Sequence, residues 1–171
     1  MEYIFHYSSP IGRMTAVSDG KALCGLCFNG QRYAYKSFGI MCECSRLPIF
    51  DMTSEWLDIY FSGKAPDFTP PLKLEGTPFR MMVWELLMTI PFGETVSYGE
   101  LAAMVAERKG VTHMSAQAIG GAVSHNMISV IVPCHRIIGA NGSMTGYDGG
   151  ILIKQRLLDN ERSIPLNKII R

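Results

Sequence analysis

The chain has 171 residues, 47% of them hydrophobic and 18% charged, which excludes a disordered protein and allows a buried core. The net charge of +1 is too small to indicate nucleic-acid binding by itself, and no apolar run approaches the roughly 18–20 residues of a membrane span. The first residues lack the basic and apolar regions of a secretory signal, so a cytoplasmic protein without membrane contact is expected.

The first part of the chain predicts a small three-stranded antiparallel sheet with one helix. Alternating aromatic residues at 3–7 indicate a strand, and residues 14–18 and 23–28 indicate two more. Asp19-Gly20 between the latter two is a strong hairpin signal. Capping residues at 51–54, an apolar face and Gly63 predict a helix that starts near residue 51.

The proline-rich segment 66–71 is predicted to link an N-terminal domain, residues 1–75, to a mostly helical C-terminal domain, residues 76–171. The fold class expected is therefore α+β. Caps and apolar periodicity predict four helices in the second domain, at about 77–90, 97–108, 115–124 and 151–161. The middle two flank a glycine-containing turn, which fits a helix-turn-helix.

The second helix of that pair is rich in small residues. Glycine inside a helix costs about 1 kcal/mol relative to alanine, so its presence needs a reason. Close packing against another helix is one explanation, and close approach to another backbone, such as that of DNA, is the other. The residues concerned are Ala116, Ala118, Gly120, Gly121 and Ala122.

The early cysteines do not predict a metal site or a disulfide framework. The count of five is odd. Cys24 and Cys27 have CxxC spacing but lie in a predicted strand, where residues three apart point to opposite faces. Cys42 and Cys44 could share one strand face, but no convincing histidine set accompanies them. No metal and no cofactor is expected, and the cysteines other than Cys134 are interpreted as packing residues.

Cys134 is the candidate nucleophile. A buried-type strand at 130–132 is predicted to end at Pro133-Cys134-His135-Arg136. A cysteine beside a histidine and an arginine lies where nearby positive charge stabilises a thiolate, which is the reactive form. A buried structural cysteine with a chance histidine neighbour is the alternative that these four residues leave open.

The residues around Cys134 resemble the O6-alkylguanine-DNA alkyltransferases, also called methylated-DNA–protein-cysteine methyltransferases. The resemblance covers about residues 77–162, in order and with matching gaps, and the first half matches more loosely through residues 9–12. The segments that carry it include Thr77-Pro78-Phe79, Pro91-Phe92-Gly93-Glu94-Thr95, Ser97-Tyr98-Gly99-Glu100-Leu101-Ala102, Ala118-Ile119-Gly120-Gly121-Ala122, Val132-Pro133-Cys134-His135-Arg136-Ile137-Ile138-Gly139 and Thr145-Gly146-Tyr147-Asp148.

The resemblance implies a role for each matched catalytic position. Cys134 would accept the alkyl group, and His135 would act through a water as its base. Glu161 would orient His135 and balance its charge, which is the logic of an activated nucleophile held by a third group. Asn126 would brace the turn that carries the active-site segment.

The resemblance also implies a DNA-binding and substrate side. O6 of guanine is out of reach inside the duplex, so the nucleotide must be flipped into a pocket, while small residues on the second helix let it approach the minor groove. Ordinary half-buried packing remains the alternative for the two tyrosines. The substrate and DNA residues expected are Tyr98, Gln117, Ala118, Gly120, Gly121, Arg136, Tyr147 and Asp148.

Two positions depart from the family pattern. Gln117 stands where many members have an arginine finger; glutamine is long enough to fill the gap left by the base but brings no charge for the phosphates. Met127 stands where a proline usually follows Asn126, which puts the rigidity of that turn in question.

The resemblance therefore predicts a monomer that acts on double-stranded DNA containing O6-alkylguanine, with O4-alkylthymine as a second candidate substrate. Transfer to Cys134 would be irreversible and would inactivate the protein. A lesion-binding protein without transfer is one alternative, although such relatives lack the cysteine, and a thiol hydrolase is another. The repair function requires that the Cys134 thiol opens toward the two short helices.

Overall fold

A computed structural model describes residues 1–31, 39, 41–43 and 46–163. Its N-terminal part is a four-stranded sheet in the order β3-β2-β1-β4. The three predicted strands are present and antiparallel. A short fourth strand, which the sequence did not predict, pairs parallel with β1 and includes Cys42, whereas Cys44 lies outside the described residues. The strands are β1 (Glu2–Ser9), β2 (Gly12–Ser18), β3 (Leu23–Phe28) and β4 (Met41–Glu43).

Helix α1 (Pro48–Phe61) packs its apolar face, which includes Phe50 and Leu57, against this sheet. The prediction that it is capped within 51–54 is wrong, because it begins at Pro48. Proline is well suited to the first helical position, since its fixed φ fits the helix and its missing N–H costs nothing there. Thr53 lies in the helix interior, where its hydroxyl donates to the Ile49 carbonyl at 2.7 Å.

The segment predicted to be a linker is attached to the sheet at its end. Leu23 N donates to the Pro71 carbonyl and Lys73 N donates to the Leu23 carbonyl, both at 2.8 Å. One cluster of buried apolar side chains includes members of both halves, from Met14 in β2 to Leu157 near the end of the chain. The domain boundary after residue 75 therefore stays a prediction, since the two halves share a core.

The C-terminal part is mostly helical, and the α+β class is confirmed. The Thr77 hydroxyl caps α2, Ser97 and Glu100 form the predicted capping box of α3, and Gly110 ends α3 in the left-handed conformation. Helices α3 and α4 contact each other across a six-residue connection, as the helix-turn-helix prediction requires. The elements are α2 (Pro78–Leu87), β5 (Val96–Ser97), α3 (Tyr98–Lys109), α4 (Ala116–Ser124), a 3-10 turn (Cys134–Arg136), β6 (Ile137–Ile138) and α5 (Ile151–Glu161).

The strand predicted at 130–132 is wrong. The segment is fully buried, as its apolar residues indicate, but it forms tight turns in which Val132 N donates to the Ile128 carbonyl at 3.1 Å. Val130 has φ 72°, a left-handed conformation that a β-branched residue rarely adopts. The pairing strand is instead β6, which lies parallel to β5. Among the described residues, none of the helices has the length and apolar character that crossing a bilayer would require.

Candidate active site around Cys134

Cys134 opens the 3-10 turn and lies on the wall of a small cavity. The residue is 8% exposed, and the cavity contains about 240 Å³ of space, which includes its open mouth. Two residues from the C-terminal end of α4 line it, so the thiol faces a cavity beside the helix pair, as the repair function requires. The lining residues are Gln31, Val123, Ser124, Asn126, Cys134, Gly146, Tyr147 and Asp148.

Asn126 connects the turn to the sulfur. Its Nδ2 group donates to the Val132 carbonyl at 2.9 Å and to Cys134 Sγ at 3.2 Å, while its Oδ1 accepts from Ile128 N at 2.9 Å. The neighbouring Met127 carbonyl accepts from Leu26 N of β3 at 2.8 Å. The sheet therefore fixes the turn in place of the proline that the family pattern would put at position 127.

A sealed polar cluster lies behind the thiol, centred on the buried carboxylate of Glu161. His135 Nε2 donates to Glu161 Oε1 at 2.6 Å, and Arg136 Nε donates to Oε2 at 2.9 Å. The Tyr60 hydroxyl donates to Oε1 and Gly93 N to Oε2, each at 2.9 Å. Gly93 has φ 83°, so a side chain here would be strained and would displace this amide. The carboxylate therefore accepts hydrogen bonds from four different residues, and these bonds fix its position.

Burial and charge set the protonation states of this cluster. Burial opposes ionisation of Glu161, but hydrogen bonds and charge from His135 and Arg136 outweigh it and lower its pKa to about 2. Burial lowers the pKa of His135, although Glu161 partly opposes this shift. A neutral His135 that donates from Nε2 leaves Nδ1 unprotonated, and Nδ1 is buried with no partner among the described residues. The Nδ1 atom of His135 is therefore able to accept a proton.

The thiol itself rests in its neutral form. Burial raises the pKa of Cys134, and the hydrogen bond from Asn126 and the charge of Lys154 only partly offset this shift. Lys154 is fully buried in α5, and its ammonium donates to the Thr145 carbonyl at 2.9 Å and to the Ile137 carbonyl. The sulfur thus needs a proton acceptor when it reacts, and a buried cation is near enough to stabilise the thiolate that forms.

The predicted substrate residues fall around the cavity mouth. Tyr147 and Asp148 line the cavity, and burial raises the pKa of Tyr147, keeping its hydroxyl protonated. The half-buried Tyr98 donates from its hydroxyl to the Thr145 carbonyl at 3.4 Å. Gly146 lies against this hydroxyl, which a Cβ at that position would approach to 2.9 Å. Their roles with substrate stay predictions.

Some small residues of α4 are explained by close packing within the protein, and others leave room for the approach of another backbone. A Cβ on Gly120 would touch the Tyr98 ring at 4.0 Å, so this glycine faces a packed side chain. A Cβ on Gly121 would meet nothing within 4 Å, and Gly121 is exposed together with Gln117 and Ala118. At Ala118 and Gly121, the outer face of α4 therefore has few side-chain atoms that would keep a partner away from the helix backbone.

The expectation that Arg136 contacts substrate or DNA requires a correction, because its guanidinium group binds Glu161 instead. Its side chain is buried, Nε and Nη2 donate to Glu161, and Nη1 donates to the Ile90 carbonyl at 2.5 Å. Pairing with a buried carboxylate explains the placement, since an arginine is rarely buried without such a partner. We reassign Arg136 to the Glu161 cluster.

Contributors to the site that were not predicted from the sequence include Tyr60, Gln31 and Lys154. Tyr60 looked like one more apolar position on a helix face, yet it contacts His135 from 75 residues away. Lys154 belongs to the segment Lys154-x-x-Leu157-Leu158-x-x-Glu161, which also resembles the alkyltransferases, and this resemblance is the signal that could have drawn attention to it. Among the described residues, no group of three or more His, Cys, Asp or Glu side chains is arranged to hold a metal ion.

Comparison with known proteins identifies this arrangement. The family model described as the 6-O-methylguanine DNA methyltransferase DNA binding domain matches residues 78–163, and that of the ribonuclease-like domain of the same methyltransferase matches residues 3–74. Fold and site thus define a protein that transfers methyl groups from methylated DNA to a cysteine, with a sheet-bearing half and a helical DNA-binding half. The chain belongs to the 6-O-methylguanine DNA methyltransferase family.

Individual relatives match over nearly the whole chain. The methylated-DNA–protein-cysteine methyltransferase of Mycobacterium tuberculosis is 40% identical over 94% of this chain and 94% of its own length. That of Haemophilus influenzae is 38% identical over 94% of this chain and 86% of its own. A crystal structure of the M. tuberculosis protein in complex with DNA has a TM-score of 0.82 at 38% identity, covering 95% of this chain and 94% of that one.

Proposed function

We propose that this protein repairs DNA by direct reversal, moving the alkyl group from O6 of guanine onto Cys134 in a single irreversible turnover. The observation that supports this most directly is the position of Cys134 Sγ on the wall of a cavity that opens beside α4. The flipped base would enter this cavity, because no side chain can reach O6 in line inside a stacked duplex.

The Glu161 cluster supports the proton transfer that the reaction needs. Because burial keeps the thiol neutral, its proton must leave as the sulfur attacks. Nδ1 of His135 is the available base, and a bridging water would carry the proton to it. The bond between sulfur and the alkyl carbon forms while the bond between that carbon and O6 breaks. The electron pair stays with the purine, which leaves as guanine after it takes up a proton.

The exposed face of α4 is the proposed contact with the minor groove. Ala118 and Gly121 would allow close backbone approach, and Gln117 would fill the space that the base vacates. Deforming and flipping the nucleotide costs a few kcal/mol, which contacts along this face have to offset. A cytoplasmic location and action as a monomer belong to the same proposal.

Intact-mass measurement after incubation with duplex DNA containing O6-methylguanine tests the proposal. We expect one methyl group per protein, located on the peptide that contains Cys134, and no gain for Cys134→Ser. Cys24→Ser is the matched control, since Cys24 is partly exposed but does not line the cavity, and it should react normally. Lesion binding without any mass gain would instead identify a protein that only recognises damage.

A further inference from the structure

The cavity at Cys134 has one wall that comes from the N-terminal half. Gln31 follows β3 and lines the same small cavity as Cys134, Tyr147 and Asp148. Nothing in the proposed chemistry uses this side chain. In a cavity of this size, a group held near the sulfur also lies near Gln31, which makes its polar atoms candidates for contact with substrate.

The amide orientation of Gln31 is fixed by its partners. Oε1 accepts from Phe28 N at 2.6 Å and from the Ser129 hydroxyl at 3.2 Å. A backbone N–H can only donate, so the oxygen must be the atom that faces it. The Nε2 group is thereby directed away from these partners, and among the described residues it donates to none. Within the part of the chain that the structure describes, both N–H donors of the Gln31 amide are therefore unengaged.

Gln31 is tied to the turn that carries the active site. Ser129 N donates to the Leu26 carbonyl at 2.7 Å, so β3 and this turn are hydrogen-bonded to each other. The Ser129 hydroxyl then joins the same turn to the Gln31 side chain, 98 residues away in the sequence. The amide is therefore held at a fixed place relative to Asn126 and Cys134, as a recognition group must be.

We infer that Gln31 is a specificity residue whose Nε2 group donates to a ring nitrogen beside O6 of the flipped purine. The inference rests on the proposed function, because it deepens the same site. In transfer, O6 must lie close to the sulfur, so its neighbours N1 and N7 lie in the same end of the cavity. Alkylation at O6 removes the proton from N1, so both nitrogens accept hydrogen bonds in the lesion. Undamaged guanine presents an N1–H that would repel a donor.

Transfer rates from three free bases test this inference: O6-benzylguanine and its 1-deaza and 7-deaza analogues, each lacking one ring nitrogen. For Gln31→Leu we expect a two- to tenfold lower second-order rate constant with O6-benzylguanine, about the size of one lost neutral hydrogen bond. On the analogue that lacks the partner nitrogen, the variant and the wild type should react at the same rate. Asn29→Leu, an exposed change two residues away, should leave all three rates unaltered.

A second variant separates recognition from folding. Gln31→Glu keeps oxygens for Phe28 N and the Ser129 hydroxyl but lacks the donor, so it should show the same loss of preference between base and analogue. A merely structural role would lower all three rates by one factor, and that outcome, or the absence of any loss, would overturn the inference. Failure of the wild type to gain a methyl group on Cys134 from duplex DNA containing O6-methylguanine would instead refute the proposed function.

Discussion

The two sides of the Cys134 site are built in opposite ways. Behind the sulfur, the Glu161 carboxylate is fully buried and accepts hydrogen bonds from four neighbouring residues. In front of it, the outer face of α4 is exposed, and no side-chain hydrogen bond joins Gln117 to another described residue. Proton transfer needs groups that are already fixed, whereas a DNA-facing surface needs room, which small residues provide.

The difference predicts where a substitution acts. A change in the Glu161 cluster should reduce both stability and reactivity, because an uncompensated buried charge is costly. A change on the outer face of α4 should leave stability almost unaltered and act on DNA binding alone. The variants below test this division, beginning with the one expected to have the largest effect.

Glu161→Gln should have the largest effect. It preserves shape but leaves the buried Arg136 without its counter-charge, so we expect a loss of about 3–5 kcal/mol in the free energy of unfolding. His135 also loses its anionic partner, and the transfer rate should fall by about 10²-fold or more. Urea unfolding and single-turnover transfer measure the two effects. Glu94→Gln, at an exposed carboxylate, is the control, and equal behaviour of the two variants would contradict the central role of Glu161.

Tyr60→Phe should have the second-largest effect on the free energy of unfolding. It removes only the hydroxyl that donates to Glu161, and hydrogen bonds to charged groups are worth about 1.5–3 kcal/mol when buried. Tyr7→Phe is a matched control, since it removes a hydroxyl that donates to the exposed Asp58 at 2.7 Å. Tyr7→Phe should lower the free energy of unfolding by about 1 kcal/mol or less. Similar losses in thermal or urea unfolding for both variants would mean that burial of the partner does not matter here.

The effect of pH on the transfer rate should be smaller than the effects of these two substitutions, and the rate should fall as the pH is lowered. Burial lowers the pKa of His135 from its ordinary value of 6.5, so its neutral, proton-accepting form persists below that pH. We therefore expect the rate constant with O6-benzylguanine to stay nearly constant from pH 8 to about 6.5 and to fall only at lower pH. Rapid-quench measurements across this range test it. A rate that rises about tenfold per pH unit toward pH 8 would indicate a free thiolate without help from His135.

The sequence predicted local features better than contacts between distant segments. Thr77, Ser97 and Glu100 are caps whose partners lie three residues away, and the structure has them as predicted. The turns at 130–132 were missed because a short apolar run reads the same in a buried strand and in a buried turn. Tyr60 and Gln31 were missed for another reason, since each gains its role through a partner 75 or more residues away.

The proposed catalytic residues were predicted through resemblance to a family, but the geometry of the site could not be predicted in that way. Cys134 and His135 are adjacent in sequence, yet the thiol faces the cavity while the imidazole lies in the sealed cluster. The same limit explains the error at Arg136. A basic residue beside a candidate nucleophile fits either a substrate or a buried counter-ion, and only the position of Glu161 decides between them.

Gln117→Arg should have the smallest effect on the fold and a specific effect on DNA binding. Gln117 is exposed, so stability should change by no more than about 0.5 kcal/mol. An arginine that reaches one phosphate should steepen the dependence of log affinity on log salt by about 0.9 and tighten binding at low salt. Fluorescence anisotropy with duplex DNA over a salt series measures this slope. Glu55→Gln, on α1, raises the net charge by the same amount at another exposed position and is the control. If both variants steepen the slope equally, net charge rather than the α4 face governs binding, and the proposed contrast between the two sides of the site does not hold.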